Sequence, residues 1–168
     1  KTFPAWVLGH HPQWEFMSCS YSGSLSMQFS RSVRSVMRDP SYHKIFTTQL
    51  DPDSQSVEQW LTTDGGGLTA AGVGGAITGK GAHILMIDDP VKNREDAESE
   101  TARQSCYDWY TSTAYTRLAP GGGVLVILTR WHDDDLAGRL LQAEKEGADR
   151  WEVVQYPAVA EEAERFRK

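Results

Sequence analysis

Two adjacent carboxylates stand directly after an apolar run near the middle of the chain. The run covers residues 82–87, and it is followed by Asp88, Asp89 and then Pro90. A continuous apolar stretch of this length indicates a buried parallel strand. Carboxylates at the end of such a strand could serve Mg²⁺ and orient an attacking water. A simple strand-to-loop turn is the alternative, because Asp and Pro both favour turns.

This pair matches the Walker B pattern of nucleotide hydrolases, in which the first carboxylate serves Mg²⁺ and the second acts on the attacking water. The phosphate loop that normally accompanies it is harder to find. Residues 74–80 fit the G-x-x-x-x-G-K half of that pattern, but Gly81 replaces the metal-binding Ser or Thr. This stretch also opens a strand, whereas a phosphate loop opens a helix. We therefore do not predict a phosphate site there, and no other segment matches.

A second polar set follows the apolar run at residues 124–128, which predicts a second strand that is buried on both faces. Because the carboxyl ends of parallel strands meet at one edge of a sheet, Thr129 is expected near the carboxylate pair. Its hydroxyl could sense a γ-phosphate, and Arg130 could relay that state to a neighbouring surface. The alternative for Arg130 is an ion pair with one of the acids from Asp133 to Asp135. These acids are more typical of a helix start than of a metal site. Trp131 is interpreted as a packing residue.

The elements that must position these residues follow from periodicity and from turn residues. The pattern predicts strands at 14–21, 82–87, 124–128 and 151–156, a hairpin of 59–63 with 68–73, and a loop at 40–58. It predicts helices at 25–37 and at 93–118, the second with Asn93 or Ser99 as its cap. A third helix is predicted to run from a cap at Asp133 or Asp134 to residue 141. Strands that alternate with helices predict an α/β fold with three layers and a mainly parallel sheet.

Composition limits the classes of function. The 168 residues carry a formal charge of −6, which argues against nucleic-acid binding through bulk positive charge. Three arginines, Arg31, Arg34 and Arg38, share one face of a predicted helix, and we interpret them as a solvated face rather than a DNA contact. No apolar run is long enough to span a membrane. Two cysteines cannot form a disulfide framework.

Residues 83–141, HILMIDDPVKNREDAESETARQSCYDWYTSTAYTRLAPGGGVLVILTRWHDDDLAGRLL, closely resemble the ATPase core of tailed-phage terminase large subunits. These proteins are the motors that package double-stranded DNA into capsids. The earlier segments GAITGKGAHILMIDDP and SCSYSGSLSMQFSRSVR resemble the same family, so the resemblance runs from about Phe16 to Pro157. It implies a P-loop NTPase core of the ASCE, RecA-like type, truncated before the Walker A strand.

The resemblance also implies roles for single residues and for cofactors. Asp88 resembles the aspartate that serves Mg²⁺, Asp89 the catalytic carboxylate, and Thr129 with Arg130 the motif that couples hydrolysis to movement. Lys80 stands where many relatives carry an arginine that some present to a neighbouring subunit, although lysine lacks the planar fork of arginine. The implied cofactors are ATP and Mg²⁺.

The implied partners are double-stranded phage DNA, the portal protein and the small terminase subunit, in a ring of identical subunits in the host bacterial cytoplasm. We expect residues 1–157 to be a partial ATPase domain that is inactive alone, and residues 158–168 to begin a linker toward an absent nuclease domain. Two alternatives stay open. One is a Mg²⁺-dependent nuclease that uses Asp88 and Asp89 with the run from Asp133 to Asp135. The other is an inactive prophage remnant or interaction module.

Overall fold

A six-stranded mixed sheet forms the centre of the protein in a computed structural model, which describes residues 2–75, 77 and 81–156. The strands are β1 (Glu15–Ser20), β2 (Leu50–Gln55), β3 (Gln59–Thr62), β4 (Gly67–Gly72), β5 (Ala82–Asp88) and β6 (Leu118–Ile127). Their order across the sheet is β2-β3-β4-β1-β5-β6. Strands β4, β1, β5 and β6 run parallel, whereas β3 pairs antiparallel with both β2 and β4. The predicted α/β class and hairpin are confirmed, and the sheet is mixed.

In the part of the chain that the structure describes, five α-helices accompany the sheet: α1 (Thr2–His10), α2 (Gly23–Arg38), α3 (Arg94–Glu98), α4 (Glu100–Trp109) and α5 (Leu136–Lys145). Short helical turns of other types cover Tyr42–Lys44, Tyr110–Ala114 and Tyr115–Arg117. Helix α2 shows how the sequence sets the limits of an element. The Ser22 side chain accepts a hydrogen bond from the Leu25 amide at the start, and the helix ends before Asp39 and Pro40.

The long helix predicted over 93–118 is divided, because both candidate caps are used. Asn93 accepts from the Asp96 amide and starts α3, while Ser99 accepts from the Ala102 amide and starts α4. Ser99 has an extended backbone, with φ −76° and ψ 114°, which interrupts the helix between the two caps. The cap of α5 is also corrected, since Asp135 rather than Asp133 or Asp134 accepts from the Gly138 amide.

Strand β6 differs most from its prediction. It begins at Leu118, which pairs with Ala82, and after a bulge it resumes at Gly123, which pairs with Ile84. Gly121 within the bulge has φ +78°, a conformation that glycine adopts without strain. β6 is the last strand of the described sheet, and Ile127 is 46% exposed. The prediction that this strand is buried on both faces is therefore wrong.

Two further predictions also fail. The loop predicted over 40–58 contains β2, an edge strand whose polar residues Asp51 and Asp53 gave no alternating apolar pattern. The strand predicted at 151–156 is irregular, and Val153 and Val154 are exposed. β propensity alone does not form a strand without a neighbouring strand to pair with.

Successive residues of β1 contribute to two separate apolar clusters, as expected for side chains that alternate across a sheet. Phe16 packs with residues of α1 and α2 and with Trp60, whose indole N–H donates to the Ser30 hydroxyl at 2.9 Å. Met17 packs with residues of α4 and α5. The central strands thus have apolar neighbours on both faces, which fixes the carboxyl end of β5.

Candidate functional site

The sheet register brings the two predicted polar strand ends together. Asp88 pairs with Ile127, so the end of β5 lies directly beside the end of β6. The Asp89 amide donates to the Ile127 carbonyl, and the Asp89 carbonyl accepts from the Tyr21 amide, each at 2.9 Å. The prediction that the strands of Asp88 and Thr129 are neighbours is confirmed. Backbone hydrogen bonds hold Asp89 between the ends of β1 and β6.

Asp89 has an unusual backbone conformation. Its φ is +47°, and within residues 2–75, 77 and 81–156 no other residue except glycine has a positive φ. The left-handed region costs a residue with a Cβ about 1–2 kcal/mol, and such strain is concentrated at functional sites. Glycine or asparagine would adopt this turn more readily than aspartate. The carboxylate at this position therefore calls for an explanation beyond the turn itself.

Asp88 and Asp89 differ in their surroundings. Asp88 is partly buried and Asp89 is exposed. Burial raises the pKa of the Asp88 carboxyl, and the negative charge of Asp89 raises it further. A bound cation would relieve both effects. Two carboxylates fit Mg²⁺ well, because this ion keeps several waters and takes one or two protein carboxylates plus phosphate oxygens.

A small cavity opens beside Asp89, the second residue of the carboxylate pair. Its lining includes Asp89 and Thr129 together with Trp131, Arg103 and Asp135. Thr129 is exposed, as a hydroxyl that meets a ligand must be. Trp131 is 51% exposed, so its interpretation as a packing residue is wrong. The cavity thus has both Asp89, the predicted catalytic residue, and Thr129, the predicted sensor residue, in its lining.

Arg130 forms an ion pair with one of the acids that follow it, as the alternative interpretation of this residue predicted. Its Nε donates to Asp135 Oδ2 at 2.6 Å, and its Nη2 donates to the Asp133 carbonyl at 3.1 Å. Asp135 is 4% exposed, and its other oxygen accepts from the Gly138 amide at 2.9 Å. The arginine is thus tied to the first turn of α5. This contact gives the residue after Thr129 a direct connection to a helix.

The neighbouring acid is held by arginines as well. Asp134 accepts from Arg139 Nε at 2.9 Å and from Arg103 Nε at 3.1 Å. Hydrogen bonds from Arg139 and Arg103 lower the pKa of the Asp134 carboxyl to about 2. In the part of the chain that the structure describes, no group of three or more His, Cys, Asp or Glu side chains could hold a metal. The carboxylate cluster that the nuclease alternative requires is therefore not seen there.

Arg103 is a site residue that the sequence reasoning missed. It lies on the inner side of α4, its side chain is only 9% exposed, and its Nη1 donates to the Ala97 carbonyl at 2.8 Å. A signal was available, since Arg103 stands three residues before Cys106 on the apolar face of the predicted helix. A charge at such a position requires a buried partner.

The glycine-rich segment before β5 is only partly described. Lys80 lies outside the described residues, as do residues 157–168. Gly74 has φ +78°, and the Gly75 carbonyl accepts from the Trp109 indole at 3.1 Å. The segment connects β4 to β5 rather than a strand to a helix, which agrees with the decision not to predict a phosphate loop there.

Of the three arginines that share one face of α2, two form hydrogen bonds within the protein. Arg34 donates to the backbone carbonyls of Gln55 and Ser56, and Arg38 donates to the Gln55 side chain. Arg31 is exposed. The preferred interpretation, a charged outer face, is therefore incomplete, because two of the three arginines also attach α2 to the end of β2.

The fold and this site define an α/β protein with paired carboxylates at the carboxyl end of a central parallel strand. The family model described as "Terminase large subunit, T4likevirus-type, N-terminal" matches residues 1–168, and the chain belongs to this family. A search of the curated proteins finds no match to this sequence. Family membership points to a role in phage DNA packaging, and terminase large subunits are generally ATPase motors.

Among the described residues, no helix is long and apolar enough to cross a membrane.

Proposed function

We propose that this domain takes part in the ATP hydrolysis that drives a terminase large subunit as it translocates double-stranded DNA into a capsid. Asp88 serves the magnesium ion, Asp89 orients the attacking water, and Thr129 with Arg130 transmits the state of the nucleotide. The observation that carries this proposal is the strained Asp89, held between β1 and β6 at a cavity that it shares with Thr129.

The backbone supports the role given to Asp89. The Asp89 amide donates to Ile127 at the end of β6, and the Asp89 carbonyl accepts from Tyr21, the residue after β1. Together these two hydrogen bonds fix the direction of the Asp89 Cα–Cβ bond. A carboxylate with a fixed direction is what a residue that orients water needs, since a misplacement of about 1 Å can lower a rate about 100-fold. The partly buried Asp88 stands one position earlier, at the rigid end of β5.

When bound, Mg²⁺ with ATP would supply the reactive phosphate and neutralise the charge that develops on it. Asp88 is the residue that would hold the ion through water, and Asp89 stands next to it to act on the attacking water. Lys80 is a further proposed contact to the nucleotide. We also expect the 168-residue polypeptide by itself to bind Mg-ATP weakly, because its closest match to a phosphate loop ends in Gly81 instead of Ser or Thr.

The remaining proposals follow from family membership. The partners would be double-stranded phage DNA, the portal protein and the small terminase subunit, and the working form would be a ring of identical subunits. The place of action would be the host bacterial cytoplasm, at the portal of the procapsid. The formal charge of −6 suggests that DNA contacts are local rather than spread over the surface.

Steady-state ATP hydrolysis by a terminase large subunit that carries this sequence tests the proposal. Asp89→Asn should lower kcat by about 100-fold or more with little change in KM, as expected when a group that acts on the attacking water is lost. Asp88→Asn should raise the magnesium concentration that gives half-maximal rate. The matched control is Asp53→Asn, which changes an exposed acid on β2, at the far edge of the sheet. Equal kcat values for the Asp89 and Asp53 variants would contradict the proposal.

A further inference from the structure

Two arginines, the buried Arg103 and the exposed Arg130, hold the turn that follows β6. Residues 129–135 leave the sheet at Thr129 and enter α5 at Leu136. Near the start of this turn, Arg130 binds Asp135. At its end, Asp134 is bound by Arg103 from α4. The turn therefore has one connection within itself and another to a separate element.

Arg103, which lines the cavity, joins two separate segments of the chain. Its Nε donates to Asp134 Oδ2 at 3.1 Å, and its Nη1 donates to the Ala97 carbonyl at 2.8 Å. Ala97 belongs to α3, which follows the Asp89–Pro90 corner in the chain. One guanidinium thus joins the segment after Asp89 to the segment after Thr129. A planar fork with several donors suits such a double contact, whereas a lysine ammonium does not reproduce it.

We propose that Arg103 is a positioning residue, which fixes the separation of Asp89 and Thr129 by joining the Ala97 carbonyl to the Asp134 carboxylate. The proposal rests on the function proposed above for Asp89 and Thr129. Its location supports the assignment, since Arg103, Ala97, Asp89 and Thr129 line the same cavity. Arg139 also binds Asp134, so the carboxylate keeps a charged partner when Arg103 is replaced.

Hydrogen exchange of the chain measures this connection without any nucleotide. Arg103→Met should accelerate amide exchange about tenfold in two segments at once, residues 95–98 and 130–135, because a charge-assisted hydrogen bond is lost from each. Exchange in β1 should not change. The matched control is Arg94→Met, which removes an exposed arginine paired with Glu98 on α3. Arg103→Lys should restore slow exchange in one segment only.

Paramagnetic broadening by Mn²⁺, used as a probe for the carboxylate pair, reports the position of Thr129. In the unsubstituted chain, Mn²⁺ should broaden the amide signals of both Tyr21 and Thr129. Arg103→Met should change the broadening at Thr129 and leave that at Tyr21, because the Tyr21 amide is bonded to the Asp89 carbonyl. Arg94→Met should change neither.

Two results would overturn the proposal: exchange at 130–135 that stays as slow as in the Arg94 variant, or exchange that accelerates equally throughout the sheet. The second result would show that Arg103 contributes to general stability only. If Arg103→Met does not fold, Asp134→Asn and Arg103→Lys provide the same comparison. Absence of any Mn²⁺ broadening in the unsubstituted chain would instead count against the metal site, while the exchange data would still decide the role of Arg103.

Discussion

Replacing Asp89 by glycine should stabilise the protein while it removes the proposed catalytic carboxylate. The φ of +47° costs aspartate about 1–2 kcal/mol, and glycine adopts this conformation without that penalty. The hydrogen bonds to Ile127 and Tyr21 use backbone atoms and are therefore kept. Glycine also increases the entropy of the unfolded chain, which offsets about 0.4–1 kcal/mol of this gain in stability. We expect a net gain of about 0.5–1 kcal/mol.

Two further variants separate strain from charge. Asp89→Ala removes the carboxylate but keeps the Cβ, so it should be about 1 kcal/mol less stable than Asp89→Gly. Gly65→Ala provides the matched control, because Gly65 has φ +89° and a Cβ added there would meet no atom within 4 Å. This control should lose about 1 kcal/mol from backbone conformation alone.

Urea unfolding of the four proteins at pH 7, analysed by linear extrapolation, measures these differences. For a domain of this size, 1 kcal/mol corresponds to a change in Tm of about 2–4 °C, so thermal unfolding gives an independent check. If the glycine variant were less stable than the unsubstituted protein, or if the glycine and alanine variants had equal stability, the left-handed corner would not be strained. Aspartate at position 89 would then need no functional reason to be retained.

Three other variants or treatments have defined outcomes. Ser30→Ala leaves a buried indole N–H without its acceptor, so urea unfolding should show a loss of about 1–3 kcal/mol. Burial raises the pKa of the Cys19 thiol to about 12, so a thiol reagent at pH 8 should modify it only in the unfolded protein. Hydrogen bonds from Arg139 and Arg103 lower the pKa of Asp134 to about 2 from 3.8. The resulting stabilisation is complete above the unfolded pKa and is lost as the pH falls from about 4 to 2. Asp134→Asn should therefore flatten the dependence of unfolding free energy on pH in that range.

The parts of the fold that the sequence predicted are those whose apolar pattern has a single interpretation. Strand β5 contains four consecutive apolar residues at 84–87, and α2 has a serine cap, helical spacing and a terminating proline. Edge strands were harder, because burial on one side or neither leaves no such pattern. β2 is polar throughout much of its length, and the glycines of β6 indicated the end of a helix rather than a bulge.

The candidate site was predictable where it follows directly from strand ends. Two parallel apolar runs predict that the strand ends before Asp89 and Thr129 are neighbours, and the pairing of Asp88 with Ile127 shows it. The role of Arg103 depends on contacts between residues that are far apart in the chain, which spacing cannot supply. The backbone conformation of Asp89 could not be predicted from the sequence either, because a turn at Asp-Asp-Pro is compatible with several backbone geometries.

The most direct test of the central claim is a titration of the isotopically labelled chain with Mn²⁺, which takes oxygen ligands like those of Mg²⁺. The claim is that Asp88 holds a metal ion, with Asp89 and Thr129 beside it. It predicts that the amide signals of Asp89 and Thr129 broaden first, and that a chain with both Asp88→Asn and Asp89→Asn loses this effect. Broadening that persists in the double variant, or that begins in the acidic run at 133–135, would contradict the claim.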